Sequence, residues 1–288
     1  AKREDRDYVW DVTFYRALND GKPLWADQFS KKKLESKKAE FVEAGLINKF
    51  AQEYMNDARD VSSAAFRINR IQHHNYTFSK KDRFAYLLGD NEAIPVNIYL
   101  GVDVAATATK TSDYQVILVL GVDSNGKRYV IDYFRERIPT FDVPEKIIEY
   151  AKKYSPVRRV TIETVAAQEM VRDMVTRMAA QDRRLVPGIF KGVRPPAGIK
   201  KADRLETALG PIVNSKKLYV RKEMTEIMDE FFEHPLPRHD DILDALYYAD
   251  YFARMPRSTS LSIENYNKDS KKAKVIKKAY NWMTGAKI

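Results

Sequence analysis

Acidic residues occur at three separated points of the chain where secondary structure is predicted to begin or end. They are Asp103 and Glu163, each at the end of a predicted strand, and Asp240, Asp241 and Asp244 at the start of a predicted helix. If the two strands are parallel neighbours, Asp103 and Glu163 converge at one edge of the sheet. Asp241 and Asp244 are three residues apart, so they share one face of the helix. The pattern therefore predicts a cluster of carboxylates.

The chemistry of such a cluster is restricted by charge. Carboxylates that are held together repel one another unless cations neutralise them. Oxygen ligands, in a chain with no cysteine and four histidines, favour Mg²⁺ or Mn²⁺. Two such ions about 4 Å apart can activate a water molecule and stabilise the leaving oxygen of a phosphodiester. The cluster indicates metal-dependent phosphodiester hydrolysis.

Each acid also has an ordinary structural explanation. An aspartate at a strand end commonly forms a turn, and Glu163 fits an exposed strand terminus. Asp240 and Asp241 suit the N-cap and the dipole of the helix that they open. Asp244 is harder to explain in this way, because it lies on the second turn among apolar neighbours. The hypothesis therefore depends on the joint placement of the acids.

The composition is that of a globular protein with a polyanionic partner. The 288 residues are 44% hydrophobic and 31% charged, which allows one large domain with an appendage or two small domains. The formal net charge of +10 favours nucleic acid as the partner, with an anionic membrane surface as the second candidate. The absence of cysteine excludes disulfides, thiolate nucleophiles and cysteine-ligated zinc. The longest apolar run, Val116–Val122, is too short to cross a bilayer.

The chain divides by pattern into three regions. Residues 1–92 are predicted to be a mostly helical, charge-rich segment without period-two alternation, and residues 93–257 alternate strands and helices. Residues 258–288 form a polar, basic tail that is predicted to be flexible. The chain begins with Ala1 in a helix-like stretch, so we expect a piece of a longer polypeptide.

The middle region predicts an α/β fold with a mixed five-stranded sheet flanked by helices. Three antiparallel strands come first, and two strands that alternate with helices follow. The strands are predicted at 97–103, 114–122, 127–137, 158–163 and 185–190, and the helices at 143–154, 166–181, 202–214, 223–232 and 240–254.

One motif in this region imitates a nucleotide-binding loop. Gly121–Lys127 has the spacing of a Walker loop, but Arg128 follows where magnesium binding requires Ser or Thr. A strand is also predicted after the lysine, so no helix N-terminus faces a phosphate. Asp123–Gly126 is instead typical of a hairpin turn.

Three acidic motifs resemble the nuclease domain of tailed-bacteriophage large terminase subunits. They are Tyr99–Ala105, Thr161–Glu163 and His239–Leu246. Further similarity lies in Thr111–Tyr114 and Lys200–Arg204, while Leu24–Ser30 and Phe50–Asp57 resemble the stretch that joins a terminase ATPase to its nuclease. The resemblance covers roughly residues 8–256, and no ATPase nucleotide-binding motif is present. It implies a ribonuclease H-like fold, which Holliday-junction resolvases and retroviral integrases share.

The resemblance also implies roles for residues. Asp103, Glu163 and Asp241 would hold two Mg²⁺ or Mn²⁺ ions, with Asp240 and Asp244 as additional metal ligands or orienting groups. Glu163 stands where some relatives have Asp, and its longer side chain still allows ligation. His239 would contact a metal or a phosphate, although a lone histidine at a helix start is more often a surface residue. The residues expected to contact DNA phosphates are Lys191, Arg194, Lys200, Lys201 and Arg204.

The function implied is an endonuclease that cuts concatemeric double-stranded DNA with little sequence specificity during viral genome packaging. The partners would be double-stranded DNA, the portal and the small terminase subunit, in the cytoplasm of the infected host cell and without a membrane. A junction resolvase or transposase-like recombinase is an alternative, which would prefer four-way junctions to linear duplex. A non-catalytic DNA-binding or capsid-docking module is another, which would bind DNA without metal-dependent cutting.

Overall fold

The computed structural model describes residues 15–19, 21–44, 47–56, 66–81, 83–105, 114–164, 168–235, 239–257 and 261–267. The chain divides into two compact units, residues 1–64 and residues 65–288. The Thr111–Asp113 part of the second-strand motif, Asp57 and the lysine-rich tail after residue 267 lie outside the described residues. No described helix combines the length and the apolar character that are needed to cross a bilayer.

The first unit contains a short hairpin and two helices. Strand β1 (Leu18–Asn19) pairs antiparallel with β2 (Lys22–Pro23), and helices α1 (Lys31–Glu43) and α2 (Ile47–Tyr54) follow. Aromatic rings connect the two helices: Phe50 stacks on Tyr54 with 4.9 Å between ring centroids, and Phe41 contacts both rings edge-on. Helices α1 and α2 agree with the mostly helical pattern predicted for this part of the chain, whereas the β1–β2 hairpin was not predicted.

The second unit is a large sheet with helices on both faces. Its strands are β3 (Gln72–His73), β4 (Thr77–Lys81), β5 (Phe84–Leu88), β6 (Glu92–Asp103), β7 (Gln115–Val122), β8 (Arg128–Glu136), β9 (Val157–Glu163), β10 (Phe190–Val193), β11 (Leu218–Val220) and β12 (Leu261–Ser262). Its helices are α3 (Val143–Lys153), α4 (Gln168–Gln181), α5 (Lys201–Asn214), α6 (Thr225–Glu233) and α7 (Asp241–Tyr251).

The five central strands have the predicted arrangement. Their order across the sheet is β10-β9-β6-β7-β8, in which β6, β7 and β8 are antiparallel and β9 and β10 run parallel to β6. Strand β11 adds to β8 in parallel, and β3 adds to β11. The fold class is therefore confirmed, and the sheet is wider than five strands.

Two predicted elements differ from the structure. Residues 66–92 hold three strands where a helical segment was predicted; β4 and β5 form a hairpin that pairs with β6. Strand β5 has the period-two burial of a half-covered strand, with Ala85 and Leu87 buried, but five residues beside a charged turn give a weak sequence signal. The last central strand lies at β10 instead of 185–190, because residues Pro187–Ile189 form a 3₁₀ turn.

The segment with Walker-like spacing is a hairpin turn, as predicted. It connects β7 to β8, and the Asp123 carboxylate accepts hydrogen bonds from the backbone N–H groups of Asn125 and Lys127, both at 2.8 Å. Gly126 adopts a φ of 72°, a conformation that glycine tolerates without strain.

Helix α7 packs directly on the backbone of β6. One apolar cluster lies between the sheet and α3 and α4, and a second lies between the sheet and α5, α6 and α7. In the second cluster, Gly101 of β6 faces the helix, and a Cβ atom added there would lie 1.8 Å from the Ala245 carbonyl oxygen and 2.4 Å from the Ala249 nitrogen. Only glycine permits this approach, which fixes the distance between α7 and the end of β6.

We expect Gly101→Ala to destabilise the protein by about 2–3 kcal/mol, because the added methyl group must push α7 away from β6. Urea unfolding followed by circular dichroism measures the change. Gly210→Ala is the matched control, because nothing lies within 4 Å of a Cβ added at that helical glycine. The control should be neutral or slightly stabilising, since alanine has the higher helix propensity. Equal stability of the two variants would contradict the close-packing argument.

Candidate metal centre

Asp103 and Glu163 lie side by side at one end of the sheet. Each is the last residue of its strand, and the parallel register pairs Val102 with Ile162 immediately before them. Adjacent strands are about 4.8 Å apart, so the two carboxylates leave the sheet as neighbours. Asp103 is two residues after Gly101, so its side chain is on the same face of the sheet, which α7 covers.

The acids of α7 lie at the same end of the sheet, and two basic side chains of α5 neutralise them. Asp241 and Asp244 are buried, whereas Asp240 is partly exposed. The Lys201 ammonium donates a hydrogen bond to Asp240 Oδ1 at 2.7 Å and forms an ion pair with Asp244. Arg204 donates from Nη2 to Asp244 Oδ1 at 2.6 Å. A protein cation therefore already occupies a position between Asp240 and Asp244.

The start of α7 is capped by a residue from another helix. Asp240 occupies the N-cap position, but its side chain makes no capping hydrogen bond. The buried Glu230 of α6 accepts instead, from the backbone N–H groups of Ile242 at 2.9 Å and Leu243 at 3.0 Å. Because Glu230 satisfies these N–H groups, Asp240 is available to bind Lys201.

Two glutamines hold the backbone that follows Asp103. Gln115 Oε1 accepts from the Ala105 N–H at 3.0 Å, and Gln168 Nε2 donates to the Val104 carbonyl oxygen at 2.6 Å. Both glutamine side chains are buried. The backbone is thereby fixed directly after Asp103.

The charges of the four neighbouring acids act on one another. Removal of water by the surrounding protein raises the pKa of Asp103 well above its usual range, and the negative charges of Asp244, Glu163 and Asp241 raise it further, while Lys201 acts in the opposite direction. Burial likewise raises the pKa of Asp244, against the effects of Lys201 and Arg204. The carboxylates from β6, β9 and α7 therefore share one electrostatic environment, in which additional positive charge is favourable.

No three acidic or histidine side chains are close enough together to enclose a metal ion within the part of the chain that is described. The chemistry of the site nevertheless fits a divalent cation. The possible ligands are hard carboxylate oxygens from β6, β9 and α7. The Lys201 ammonium, which Asp240 and Asp244 hold, occupies the place of a cation. Binding of a metal by Asp244 requires the Lys201 contact to rearrange.

His239 lies beside the acids, at the end of the loop before α7. Its Nδ1 atom is 3.8 Å from Asp241 Oδ2, and its ring contacts the edge of Tyr114 with 5.2 Å between centroids. Tyr114 also receives the Arg135 guanidinium over its ring at 4.0 Å. His239 is thus held next to an acid of the cluster by aromatic packing.

The five residues predicted to contact DNA are placed in different environments. Lys201 and Arg204 face the acids, and Arg194 forms an ion pair with Glu169. Lys191 on β10 and Lys200 at the start of α5 are exposed to solvent.

Sequence reasoning missed the residues that support the acids. Glu230 looks like an ordinary charged residue of an amphipathic helix, and Gln115 and Gln168 have no distinctive spacing from the segment that they bind. Their roles depend on contacts between distant parts of the chain. The sequence contains only a weak indication that Lys201 pairs with Asp240: one helix begins with lysines and another begins with aspartates.

Comparison with known proteins gives a family and several similar folds. Residues 100–250, more than half of the chain, match the family model described as "Terminase RNaseH-like domain". The crystal structure of the large terminase nuclease from thermophilic phage G20c has 17% sequence identity and a TM-score of 0.45, and the match covers 66% of this chain and 99% of that chain. The zinc-bound structure of that nuclease has 16% identity and a TM-score of 0.45, with 67% and 100% covered.

The P22 large terminase nuclease domain has 16% identity and a TM-score of 0.43, with 67% of this chain and 95% of that chain covered. Among curated proteins, none matches the sequence.

The raised pKa of Asp103 predicts how pH affects the metal-free protein. In the unfolded chain, Asp titrates near pH 3.9, and the folded pKa is higher. The stability that Asp103 contributes is therefore fully present below about pH 3.9 and is lost as the pH rises through the folded pKa. Asp103→Asn resembles the protonated side chain, so its stability relative to wild type should increase as the pH is raised from about 4 and should stay higher once Asp103 is ionised.

Urea unfolding in EDTA across this pH range measures the effect. Asp90→Asn serves as the control, because Asp90 lies exposed at a turn away from the cluster. A stability difference between Asp103→Asn and wild type that stays constant with pH would show that Asp103 does not titrate as described.

Proposed function

Since the chain belongs to the terminase RNase H-like domain family, the terminase nuclease family that its acidic motifs resemble, we propose that it is a metal-dependent endonuclease. Its substrate would be concatemeric double-stranded DNA, cut with little sequence specificity during viral genome packaging. The observation that supports this most directly is the convergence of Asp103, Glu163, Asp241 and Asp244 at one end of the sheet, where their charges repel one another.

The proposed cofactor is a pair of Mg²⁺ or Mn²⁺ ions held by Asp103, Glu163 and Asp241, with Asp240 and Asp244 as additional ligands or orienting groups. When bound, such ions activate a water molecule and stabilise the leaving oxygen of a phosphodiester. The protein contributes the placement of the ligands: β6 and β9 fix the first two acids, and the Glu230 cap fixes the start of α7.

Lys201 and Arg204 have a separate role in this proposal. In the absence of a divalent ion they neutralise Asp240 and Asp244, which keeps the acidic cluster from destabilising the fold. When a divalent ion takes over that charge, the Lys201 ammonium becomes available to a DNA phosphate. The exposed Lys191 and Lys200 would contact the phosphate backbone further out, without reading sequence.

The remaining assignments follow from the family. We propose double-stranded DNA, the portal and the small terminase subunit as partners, and the cytoplasm of the infected host cell as the location. The first unit, residues 1–64, would belong to the segment that joins the terminase ATPase to the nuclease, and the basic residues 258–288 to a tail that contacts the packaging machinery.

We expect Asp103→Asn and Asp241→Asn each to reduce Mn²⁺-dependent cleavage of plasmid DNA by at least about a hundredfold, because each removes a proposed metal ligand. Gel assays of supercoiled and linear duplex measure cleavage, and circular dichroism checks the fold. Asp90→Asn should cut like wild type. Full activity of both acid variants would refute the assignment, and a strong preference of the wild type for four-way junctions would favour a resolvase instead.

The variant Lys201→Ala tests whether the Lys201 ammonium and a divalent ion compete for Asp240 and Asp244. In EDTA the variant should lose about 2 kcal/mol of stability, because Asp240 and Asp244 lose a charged hydrogen-bond donor. Added Mn²⁺ should raise its melting temperature more than that of wild type, since the ion no longer displaces an ammonium group. Lys200→Ala, next to it and exposed, is the control. An Mn²⁺-induced shift equal to that of the control would argue against competition between the ion and Lys201.

A further inference from the structure

A second charged site lies at the other end of α7. A cavity of about 290 Å³ is lined by three arginines from separate parts of the second unit: Arg83 between β4 and β5, Arg158 on β9 and Arg257 after α7. All three are exposed, and no Asp or Glu lines the cavity within the described ranges. Three guanidinium groups without a lining carboxylate form a site for an anion.

Part of the cavity lining is apolar. Phe84, Val96 and Met255 contribute to it, and Phe84 and Met255 are 40% and 59% exposed. The Arg83 guanidinium lies over the Phe84 ring at 5.5 Å, and Arg158 donates from Nε to Asn97 Oδ1 at 3.1 Å, which orients it. Planar guanidinium groups above an apolar surface suit a phosphate that carries an organic group, such as a nucleotide of a DNA strand.

The cavity and the acidic cluster lie along the same strand and helix. Asn97 donates from Nδ2 to the Arg254 carbonyl oxygen at 2.8 Å, which fixes the chain after α7 to the first half of β6. Asn97 and Asp103 are six residues apart on β6, which at about 3.3 Å per residue corresponds to about 20 Å. One turn of a DNA duplex is about 34 Å long, so a single turn is long enough to contact both places.

We propose that this arginine-lined cavity is a second DNA-contact site, which grips a backbone phosphate within one helical turn of the phosphate at the acidic cluster. The choice of DNA as the anion rests on the proposed function. The site would position a duplex across the protein and add affinity that does not depend on sequence or on divalent metal.

The test compares DNA binding by two triple variants of the full chain in EDTA, so that no cleavage occurs. One is Arg83→Ala/Arg158→Ala/Arg257→Ala. The control, Arg177→Ala/Arg183→Ala/Lys222→Ala, removes the same charge from exposed residues that do not line the cavity. Fluorescence anisotropy of a labelled duplex of about 30 base pairs gives the affinity as a function of KCl concentration.

We expect the cavity variant to bind at least about tenfold more weakly than the control. The magnitude of the slope of log K against log salt should fall by about 1, since one phosphate loses its contact. An affinity and slope equal to those of the control would overturn the proposal. Retained DNA affinity together with abolished binding of a poly-glutamate peptide would also overturn it, because the cavity would then serve an acidic protein.

Cleavage assays keep this inference distinct from the proposed nuclease function. If the wild type fails to cut DNA with Mn²⁺ but the cavity variant still binds more weakly than the control, the nuclease assignment fails and the DNA-contact site stands. If the wild type cuts DNA and the cavity variant binds as tightly as the control, the nuclease assignment stands and the DNA-contact site fails.

Discussion

The contact between Gly101 and α7 is the constraint on which the candidate site depends. Helix α7 lies directly on the backbone of β6, which is possible only because no side chain separates them. A Cβ atom added at Gly101 would lie 1.8 Å from the Ala245 carbonyl oxygen. Gly101 lies two residues before Asp103 on the strand, and Ala245 directly follows Asp244 on the helix. A larger residue at position 101 would push α7 away from the sheet. The acids of α7 would then lie farther from Asp103 and Glu163.

Bringing these acids together creates an electrostatic cost that the protein itself offsets. Asp103 responds by favouring its protonated form, while Lys201 and Arg204 counteract the same tendency at Asp244. Since broken buried ion pairs are strongly destabilising, α5 is bound to α7 by charge as well as by apolar packing. Lys201 and Arg204 therefore offset part of the negative charge, and the raised pKa of Asp103 shows that further positive charge is favourable there.

The sequence predicted the parts of this arrangement that are local. Asp103, Glu163 and Asp241 could be placed because each stands at the end of a strand or the start of a helix, and the order of elements was sufficient to predict the central sheet. The hairpin of β4 and β5 was missed because Ala85 and Leu87 give too short an alternating pattern beside a charged turn. Glu230 could not have been identified, since its capping of α7 depends on how two separate helices meet.

The two ends of α7 show which charges need a functional explanation. A helix favours acids at its N-terminus, so Asp240 and Asp241 are placed where the dipole stabilises them. The dipole does not account for charges on other elements. Asp103 and Glu163 come to the first end from strands β6 and β9, while Arg83 and Arg158 come to the second from a turn and from β9. Charges of like sign from separate elements therefore meet at each end of α7, and we propose that the acidic end binds cations and the basic end binds phosphates.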